Sequence, residues 1–344
     1  MALHKSHSAS RPLCFVMALA GLALLLFGLL FNLGSHMLPV ASCPPPRVRV
    51  STERKAKPLP RCAKPNADGV VPRAKTFLIV FMGNSASTAI SLDLRNHPDV
   101  HMDVLEMVDL PGYDNTTEAL AHVRRFFDEG IAMGKIPGFK IRPKHILAMR
   151  EEWAALAREY DTHLFWQYRK NTLKSALTSY IKYEVAGGDN VNVGGMKKNV
   201  SIEERCQMGK GCKHHIDVDS FYARLRGQLD WTNTVTEAVR VMDDARGCVW
   251  EAPYEEYLED RETFNTNMQR FLGIKEMAVK QERWKGTGDG VCDVVENWDE
   301  LCEKLYGCVI WQPLLEDPKN GCFCNTFGTG TDAYCRTDKD RKKK

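Results

Sequence analysis

Two segments of the chain combine cations, small residues and hydroxyls in patterns that suit the binding of phosphate groups. In the first, an apolar run is followed by Gly83, Asn84, Ser85, Ala86, Ser87 and Thr88. A helix that starts after such a turn offers unpaired backbone N–H groups and the positive end of its dipole to an anion. The hydroxyls of Ser85, Ser87 and Thr88 can add donors. Alternatively, the small residues only permit a tight turn, with Ser87 as the helix cap.

The second segment, residues 162–180, is predicted to be a strand followed by a helix. Arg169 and Lys170 come at the carboxyl end of this strand, where ligands bind in open parallel sheets. The helix then carries Thr178 and Ser179, so that a cation and hydroxyls suit a second phosphate. A solvated charged turn is the alternative. The Gly-x4-Gly-Lys-Ser/Thr pattern does not occur in the sequence, which disfavours an ordinary ATPase or GTPase.

Strands and helices alternate around these segments. The sequence predicts strands over residues 76–82, 138–141, 162–168 and 248–251, and helices over residues 87–95, 145–160, 171–183, 220–246, 254–271 and 298–305. Such alternation predicts an α/β fold with a P-loop-like parallel β-sheet flanked by helices. Residues 185–216, rich in Gly, Asn and Lys, interrupt the pattern as an insertion.

Together the two segments resemble the nucleotide-binding motifs of the sulfotransferase superfamily, whose donor is 3′-phosphoadenosine 5′-phosphosulfate (PAPS). The first is similar to the family's 5′-phosphosulfate loop and the second to its 3′-phosphate motif. Residues 249–260 and the Phe271-Leu-Gly-Ile274 segment resemble later parts of the same family. The resemblance covers roughly residues 75–310 and implies that residues 83–88, Arg169, Thr178 and Ser179 bind PAPS. We assign no metal, because a sulfuryl group bears less charge than a phosphoryl group.

The sequence departs from this family at Asn84, where a Lys or Arg usually contacts the transferred group. Asn donates a hydrogen bond but brings no positive charge. Lys140 and Arg142, at the end of another predicted strand, are the candidates to replace that cation, and we take Lys140 as the catalytic one. The alternatives are that both are ordinary surface charges, or that the enzyme is weak or inactive.

The segment from Asn96 to Glu106 is the candidate source of a general base. Its His97-Pro98 pair, followed by Glu106, is similar to the segment of heparan sulfate 3-O-sulfotransferases that supplies the catalytic Glu. A neutral hydroxyl attacks sulfur poorly, and positioned proton removal contributes about 10²- to 10⁴-fold in rate. Glu106 is therefore the expected base, with His101 as a second choice. The alternative is a loop carboxylate without a role.

Two further groups of residues are weaker candidates for ligand binding. Arg283 and Lys285 stand in a Gly-rich loop that loosely resembles a late basic loop of sulfotransferases and can fold over the nucleotide; a solvated loop is the alternative. The other group consists of residue types that can bind zinc: Cys206, Cys212, His214 and His215. Its spacing fits no known tetrahedral site, and disulfide pairing with surface His is the better interpretation.

Residues 13–33 are almost purely apolar, and about 20 such residues span a bilayer. We expect a transmembrane signal-anchor after a cytoplasmic tail at 1–12, then a stem at 34–74, the sulfotransferase-like domain at 75–310 and a Cys-rich extension with a basic tail at 311–344. A cleaved signal peptide is the alternative, and a strict positive-inside count favours the opposite orientation. After the segment come 11 of the 12 cysteines and two glycosylation acceptors, Asn115 and Asn199. The expected location is the Golgi membrane, type II, with a luminal domain.

The acceptor is expected to be a glycan or polysaccharide, because the segment ending at Glu106 resembles that of glycan enzymes. A net charge of +3 gives no argument for nucleic acid. Two other functions stay open. A Golgi glycosyltransferase would use Asp217-Val-Asp219 to hold a metal-bound sugar nucleotide, although Asp is also a common helix cap. A catalytically degenerate binding protein of the same fold is the other.

Overall fold

The computed structural model describes residues 57–109, 117–185, 213–282, 290–326, 328 and 332–335. The predicted anchor at 13–33, both glycosylation acceptors and several other candidates lie outside the described residues: Cys206, Cys212, Arg283 and Lys285. None of the described helices is both long enough and apolar enough to cross a membrane.

A parallel sheet forms the centre of the described chain, as the alternation of elements predicts. Its five strands are β1 (Thr76–Phe81), β2 (Val100–Asp103), β3 (Ile136–Ile141), β4 (Thr162–Tyr168) and β5 (Val249–Pro253). They lie in the order β2-β3-β1-β4-β5, and every neighbouring pair is parallel.

Helices cover both faces of this sheet. In chain order they are α1 (Ser87–Arg95), α2 (Thr117–Ala132), α3 (Pro143–Ala148), α4 (Arg150–Glu159), α5 (Thr172–Tyr180), α6 (Val218–Asp243), α7 (Tyr254–Glu259), α8 (Arg261–Phe271), α9 (Trp298–Leu305), α10 (Gln312–Leu315) and α11 (Asp332–Cys335). A π-helical turn, Ile181–Val185, continues α5, and short 3₁₀ turns occupy Arg61–Ala63 and Pro318–Asn320.

The sheet is buried on both faces because successive side chains of β1 point to opposite layers. Leu78 and Val80 belong to the core under α2, α3, α4 and α6. Phe77 and Ile79 belong to the core under α1 and α8. Gly138 on β3 admits the ring of Phe77, which a Cβ at this position would strike. The continuous apolar run of β1 therefore reflects burial on two sides.

A third apolar core joins α5 and the first half of α6 to the C-terminal segment. Disulfides reinforce it: Cys292–Cys322, Cys302–Cys324 and Cys308–Cys335. Another disulfide, Cys62–Cys248, ties the chain before β1 to the start of β5. The C-terminal disulfides tie the predicted Cys-rich extension at 311–344 to residues 292–308.

Several predicted elements need correction. The single helix expected at 145–160 is two helices, since Met149 leaves the helical region with φ −137° and ψ 63°. The helix expected at 254–271 is also two, and Asp260 between them caps α8 through a bond from the Thr263 N–H. Strand β2 and helix α2 were not predicted. The π-helical turn replaces the last residues of the helix expected at 171–183.

Candidate functional site

The candidate residues gather at the carboxyl edge of the sheet. The connection after β1 leads to β2 on one side, whereas the connection after β4 leads to β5 on the other side. A crevice for ligands forms at the carboxyl ends of strands where the connections diverge in this way. The loop of residues 82–86 and Arg169 follow β1 and β4 directly, so they flank this crevice.

The loop after β1 takes an unusual backbone path before α1. Asn84 and Ala86 have positive φ, 62° and 63°, in the left-handed region that is costly for residues with a Cβ. Ala86, and not Ser87, occupies the N-cap position, and no side chain caps the helix. The first N–H groups of α1 therefore have no acceptor within the helix. Strained backbone of this kind is frequent at functional sites.

Buried hydrogen bonds fix this loop against the end of the sheet. The Ser85 hydroxyl donates to the Met82 carbonyl, and the Gln167 amide on β4 donates to the Ser85 carbonyl. Both side chains are fully buried. Ser85 thus fixes the turn in this geometry, and the role of its hydroxyl in anion binding stays a prediction. Gly83 lies in open space, with no atom within 4 Å of a Cβ placed on it.

Arg169 is a buried cation, only 6% exposed, at the end of β4. Its Nη1 lies 3.4 Å from the Asn84 carbonyl oxygen and 3.5 Å from the Thr178 hydroxyl. Its Cζ lies 4.7 Å from the centre of the Tyr254 ring. Its Nε has no hydrogen-bond partner, and no described carboxylate lies within ion-pair distance of it, although Glu255 attracts it from farther away. Burial lowers the pKa of this guanidinium because the charged form loses its hydration.

The predicted hydroxyls of the second segment lie near Arg169 on α5. Thr178 donates its own proton to the Lys174 carbonyl, 2.9 Å away, which leaves its oxygen facing Arg169. Ser179 is buried on the same helix. The neighbouring Lys170 instead pairs with Glu256 at the surface. The structure therefore brings Arg169, Thr178 and the loop at Asn84 together.

Lys140 approaches the same loop from β3. It pairs with Ile79 of β1 in the sheet register, and its Nζ donates to the Thr88 hydroxyl at 3.0 Å. The ammonium lies 3.3 Å from a carboxylate oxygen of Glu106 and 5.3 Å from the centre of the Phe81 ring. A cation thus stands beside the start of α1 although Asn84 brings none.

Glu106 lies between two cations. One carboxylate oxygen faces Lys140, and the other accepts from Arg142 Nε at 2.5 Å. Arg142 Nε also lies 2.9 Å from Asp109. Partial burial works against the charge of Arg142, but its contacts with Glu106 and Asp109 outweigh this effect and raise the pKa of the guanidinium. His101, the second choice for the base, stacks on Phe126 instead.

Asp109 was not predicted as part of this cluster. Its carboxylate contacts Lys144 at 2.7 Å and His145 Nε2 at 2.6 Å, besides Arg142. Partial burial would raise its pKa, but hydrogen bonds with Lys144 and His145 outweigh burial and hold the pKa of Asp109 well below its usual range. Its position three residues after Glu106 was the available signal.

Gln167 and Tyr254 are the other side chains of the site that the sequence did not single out. Gln167 pairs with Phe81 in the register of β1 and β4, and its buried amide oxygen has no partner. A buried polar residue near the end of an apolar strand was a readable signal. Tyr254 lies in the segment 249–260 that resembles the sulfotransferase family, but only the fold places its ring against Arg169.

The residues proposed for a metal-bound sugar nucleotide have structural partners. Asp217 caps α6 by accepting from the Ser220 N–H at 2.8 Å, and Asp219 accepts from the Tyr334 hydroxyl. His214 pairs by backbone with Val295, away from any described metal ligand group. The described group with metal-ligand spacing is Cys62, His163 and Cys248, and its two sulfurs are joined in a disulfide.

Comparison with known proteins gives a distant likeness of fold. No family model matches the chain, and no curated protein matches it. Among similar solved structures is a sulfotransferase from Alicyclobacillus acidocaldarius, 16% identical, with a TM-score of 0.41 over 71% of this chain and 94% of that one. A likeness this distant carries no argument about function.

Proposed function

We propose that this protein is a sulfotransferase that transfers the sulfuryl group of PAPS to a hydroxyl of a carbohydrate. The observation that carries the proposal is Arg169, a buried guanidinium with an unpartnered Nε and no ion pair to a described carboxylate, since Glu255 attracts it only from beyond ion-pair distance. A buried charge is expensive unless it is paired. An anionic ligand supplies the missing partner.

A second anion site adjoins Arg169. The start of α1 offers free N–H groups, and the Asn84 carbonyl of the same loop lies 3.4 Å from Arg169 Nη1. A nucleotide with phosphate groups on both its 5′ and 3′ sides satisfies both places at once. A nucleoside triphosphate carries its phosphates in one chain on the 5′ side and has no 3′ phosphate for Arg169. This contrast supports PAPS as donor.

The cluster on the other side of the loop suits the transfer step. Glu106 takes the proton of the acceptor hydroxyl while the acceptor oxygen forms a bond to sulfur. The bond from sulfur to the bridging phosphate oxygen breaks, and its electron pair stays on the nucleotide phosphate. Lys140, beside Thr88 at the start of α1, and the helix N–H groups stabilise the charge that develops there. Lys140 thus takes the place of the cation that Asn84 does not supply.

The proposed location is the Golgi lumen, with residues 13–33 as the anchor of a type II membrane protein. The described disulfides support an oxidising compartment, because such bonds persist in secreted and luminal proteins. The carbohydrate acceptor rests on the resemblance of the segment ending at Glu106. The glycosyltransferase alternative is less favoured, since Asp217 caps a helix and Asp219 binds Tyr334.

The test is transfer of labelled sulfate from PAPS to a panel of glycans by the full-length chain in detergent. Binding of the desulfated donor, adenosine 3′,5′-bisphosphate (PAP), is measured alongside by calorimetry. Transfer together with PAP binding supports the proposal, and PAP binding without transfer to any acceptor indicates a degenerate enzyme. Failure of both overturns the proposal. Manganese-dependent transfer from a sugar nucleotide would establish the glycosyltransferase instead.

A further inference from the structure

Two aromatic side chains are exposed next to the candidate site without a described role in the core. Tyr183, in the turn that continues α5, is 43% exposed, and Trp231 on α6 is 44% exposed. Tyr and Trp are enriched at interfaces, because each combines a large apolar ring with a polar group that can stay in water. Lys182 and Arg224 lie beside Tyr183, and these four residues are named here the Tyr183–Trp231 surface.

The contacts of α6 place this surface near the loop after β1. The Gln228 side chain is buried against Met82, with its amide nitrogen 2.6 Å from the Met82 sulfur. Arg224 and Trp231 stand one turn before and one turn after Gln228. Residues at this spacing share one side of a helix, with Cβ atoms about 5–6 Å apart. The surface therefore borders the carboxyl end of β1, where the proposed reaction takes place.

The surface combines flat aromatic rings with positive charge. Lys182 Nζ lies 4.9 Å and Arg224 Cζ 5.6 Å from the centre of the Tyr183 ring. Glu184 pairs with Arg224 at 2.5 Å, but both side chains are more than a third exposed. Such an exposed pair contributes little and can exchange partners with a ligand anion. Both cations lie beside an exposed ring, so an anionic group of a ligand stacked on that ring would lie close to positive charge.

We infer that the Tyr183–Trp231 surface is an acceptor subsite for a sugar that carries a sulfate or carboxylate group. The face of an aromatic ring is electron-rich and packs against the C–H groups of a pyranose, whose hydroxyls stay in water. Arg224 and Lys182 pair with the anionic substituent. This inference rests on the proposed function and deepens it: the acceptor is an anionic glycan that extends beyond the sugar that is sulfated.

The binding test uses the full-length chain in detergent and a fluorescently labelled chondroitin sulfate hexasaccharide, followed by fluorescence anisotropy with PAP present. Trp231→Ala and Arg224→Gln should each weaken binding about tenfold, and Trp231→Phe should keep part of the affinity. Arg226→Gln is the matched control, because Arg226 lies over Tyr222 on another side of α6. It should leave affinity unchanged. Unfolding temperatures should be equal across the set, since these side chains are exposed.

Two competitors separate stacking from charge. Unlabelled maltohexaose has the rings without the charge, and polyglutamate of matched charge has no rings; each should compete at least tenfold more weakly than unlabelled chondroitin sulfate hexasaccharide. Equal competition by polyglutamate would overturn the inference, because the surface would then bind any acidic chain. Unchanged affinity in both Trp231→Ala and Arg224→Gln would overturn it as well.

A kinetic arm distinguishes failure of this inference from failure of the proposed function. Trp231→Ala should raise the acceptor KM about tenfold and leave the PAPS KM unchanged. If the wild-type chain transfers sulfate and the variant has the same acceptor KM, the subsite is refuted while the sulfotransferase stands. If no transfer occurs but the hexasaccharide binds through Trp231 and Arg224, the subsite stands and the transfer activity is refuted.

Discussion

Two cationic clusters at the carboxyl edge of the sheet differ in what surrounds their charge. At the end of β4, Arg169 contacts a carbonyl, a hydroxyl and an aromatic ring, and burial lowers its pKa. At the end of β3, Arg142 faces the carboxylates of Glu106 and Asp109, which outweigh its partial burial and raise its pKa.

The Arg169 cluster can receive an anion from a ligand, whereas the Arg142 cluster already contains its own carboxylates. A buried cation without an ion-paired carboxylate gains most from a ligand anion, because the attraction of Glu255 offsets only part of its lost hydration. A cation between carboxylates orients them and keeps them ionised. The Arg169 cluster is thus suited to donor binding, and the Arg142 cluster is suited to positioning Glu106 for proton transfer.

The largest expected effect is on the Arg142 side. Glu106→Gln should lower kcat by about 10²- to 10⁴-fold, since the amide cannot take the acceptor proton. PAP affinity should stay unchanged because Glu106 acts on the acceptor hydroxyl and makes no proposed contact with the nucleotide. The measurement is sulfate transfer beside PAP calorimetry, with Glu159→Gln as control at a surface pair with Arg124. A kcat within twofold of wild type would remove Glu106 as the base.

Next in size is the loss of the buried cation at β4. Arg169→Met should weaken PAP binding about 100-fold, since a charge-assisted contact contributes about 1.5–3 kcal/mol. The free energy of unfolding without ligand should stay equal or rise, because an uncompensated buried charge is removed. The control is Lys170→Met, next along the chain and exposed. If Arg169→Met strongly destabilised the fold and left PAP affinity normal, Arg169 would be a structural residue. The Arg169 and Arg142 clusters would then no longer differ in ligand binding.

Asp109→Asn tests how the Arg142 cluster is held. In this variant Arg142 loses one of its two carboxylate partners and therefore holds Glu106 less firmly. We expect kcat to fall about tenfold and the KM for PAPS to stay unchanged. The folded pKa of Asp109 is depressed, so its contribution to stability is full above its unfolded value near 4 and is lost as pH falls below that value.

The matching measurement is stability from pH 7 down to pH 2 by denaturant unfolding. The variant should lose less stability than the wild type as the pH falls below about 4. Asp317→Asn, at a separate ion pair with Lys174, controls for the loss of any acidic partner and should leave kcat unchanged. If the unfolding free energies of the wild type and Asp109→Asn fell equally as the pH decreases below about 4, the role assigned to Asp109 would be contradicted.

Gly83→Val should have the smallest effect. Because no atom lies within 4 Å of a Cβ at Gly83, unfolding free energy should change by no more than ~0.5 kcal/mol. The added side chain stands in the open space of the donor loop, so the KM for PAPS should rise about threefold. Valine at Gly321, also in open space but with a positive φ, should instead destabilise the fold. An unchanged KM would place the donor away from Gly83.

Much of the central fold could be predicted from the sequence, because the hydrophobic period of a helix or strand depends only on neighbouring residues. Helix α1, strand β4 and helix α9 have the predicted bounds, since each combines a clear period with its flanking turns. Strand β2 was missed because its four residues alternate polar and apolar, too short a pattern to distinguish from a loop. Helix α2 had a readable apolar face at Leu120, Val123 and Phe127, and was overlooked.

The candidate site was only partly predictable. Arg169, Glu106 and the loop at residues 83–88 stand out by residue type and by their place after strands. Their functional assignment stays a prediction. The partners of each charge were not readable, since Gln167, Asp109 and Tyr254 come from separate elements. The helix breaks at Met149 and Asp260 were also missed, because a single residue's backbone angles leave the overall amphipathic period intact.

The sequence by itself determined the alternation of strands and helices, the parallel sheet and the set of cations and carboxylates at strand ends. These follow from residue period and from side-chain chemistry, which are local properties. Tertiary structure alone decided which charge meets which partner. The pairing of Ile79 with Lys140 brings an ammonium to Thr88 and Glu106, and Arg169 is buried without an ion pair to a described carboxylate. Register and burial depend on contacts between distant parts of the chain, and they set the electrostatics of the site.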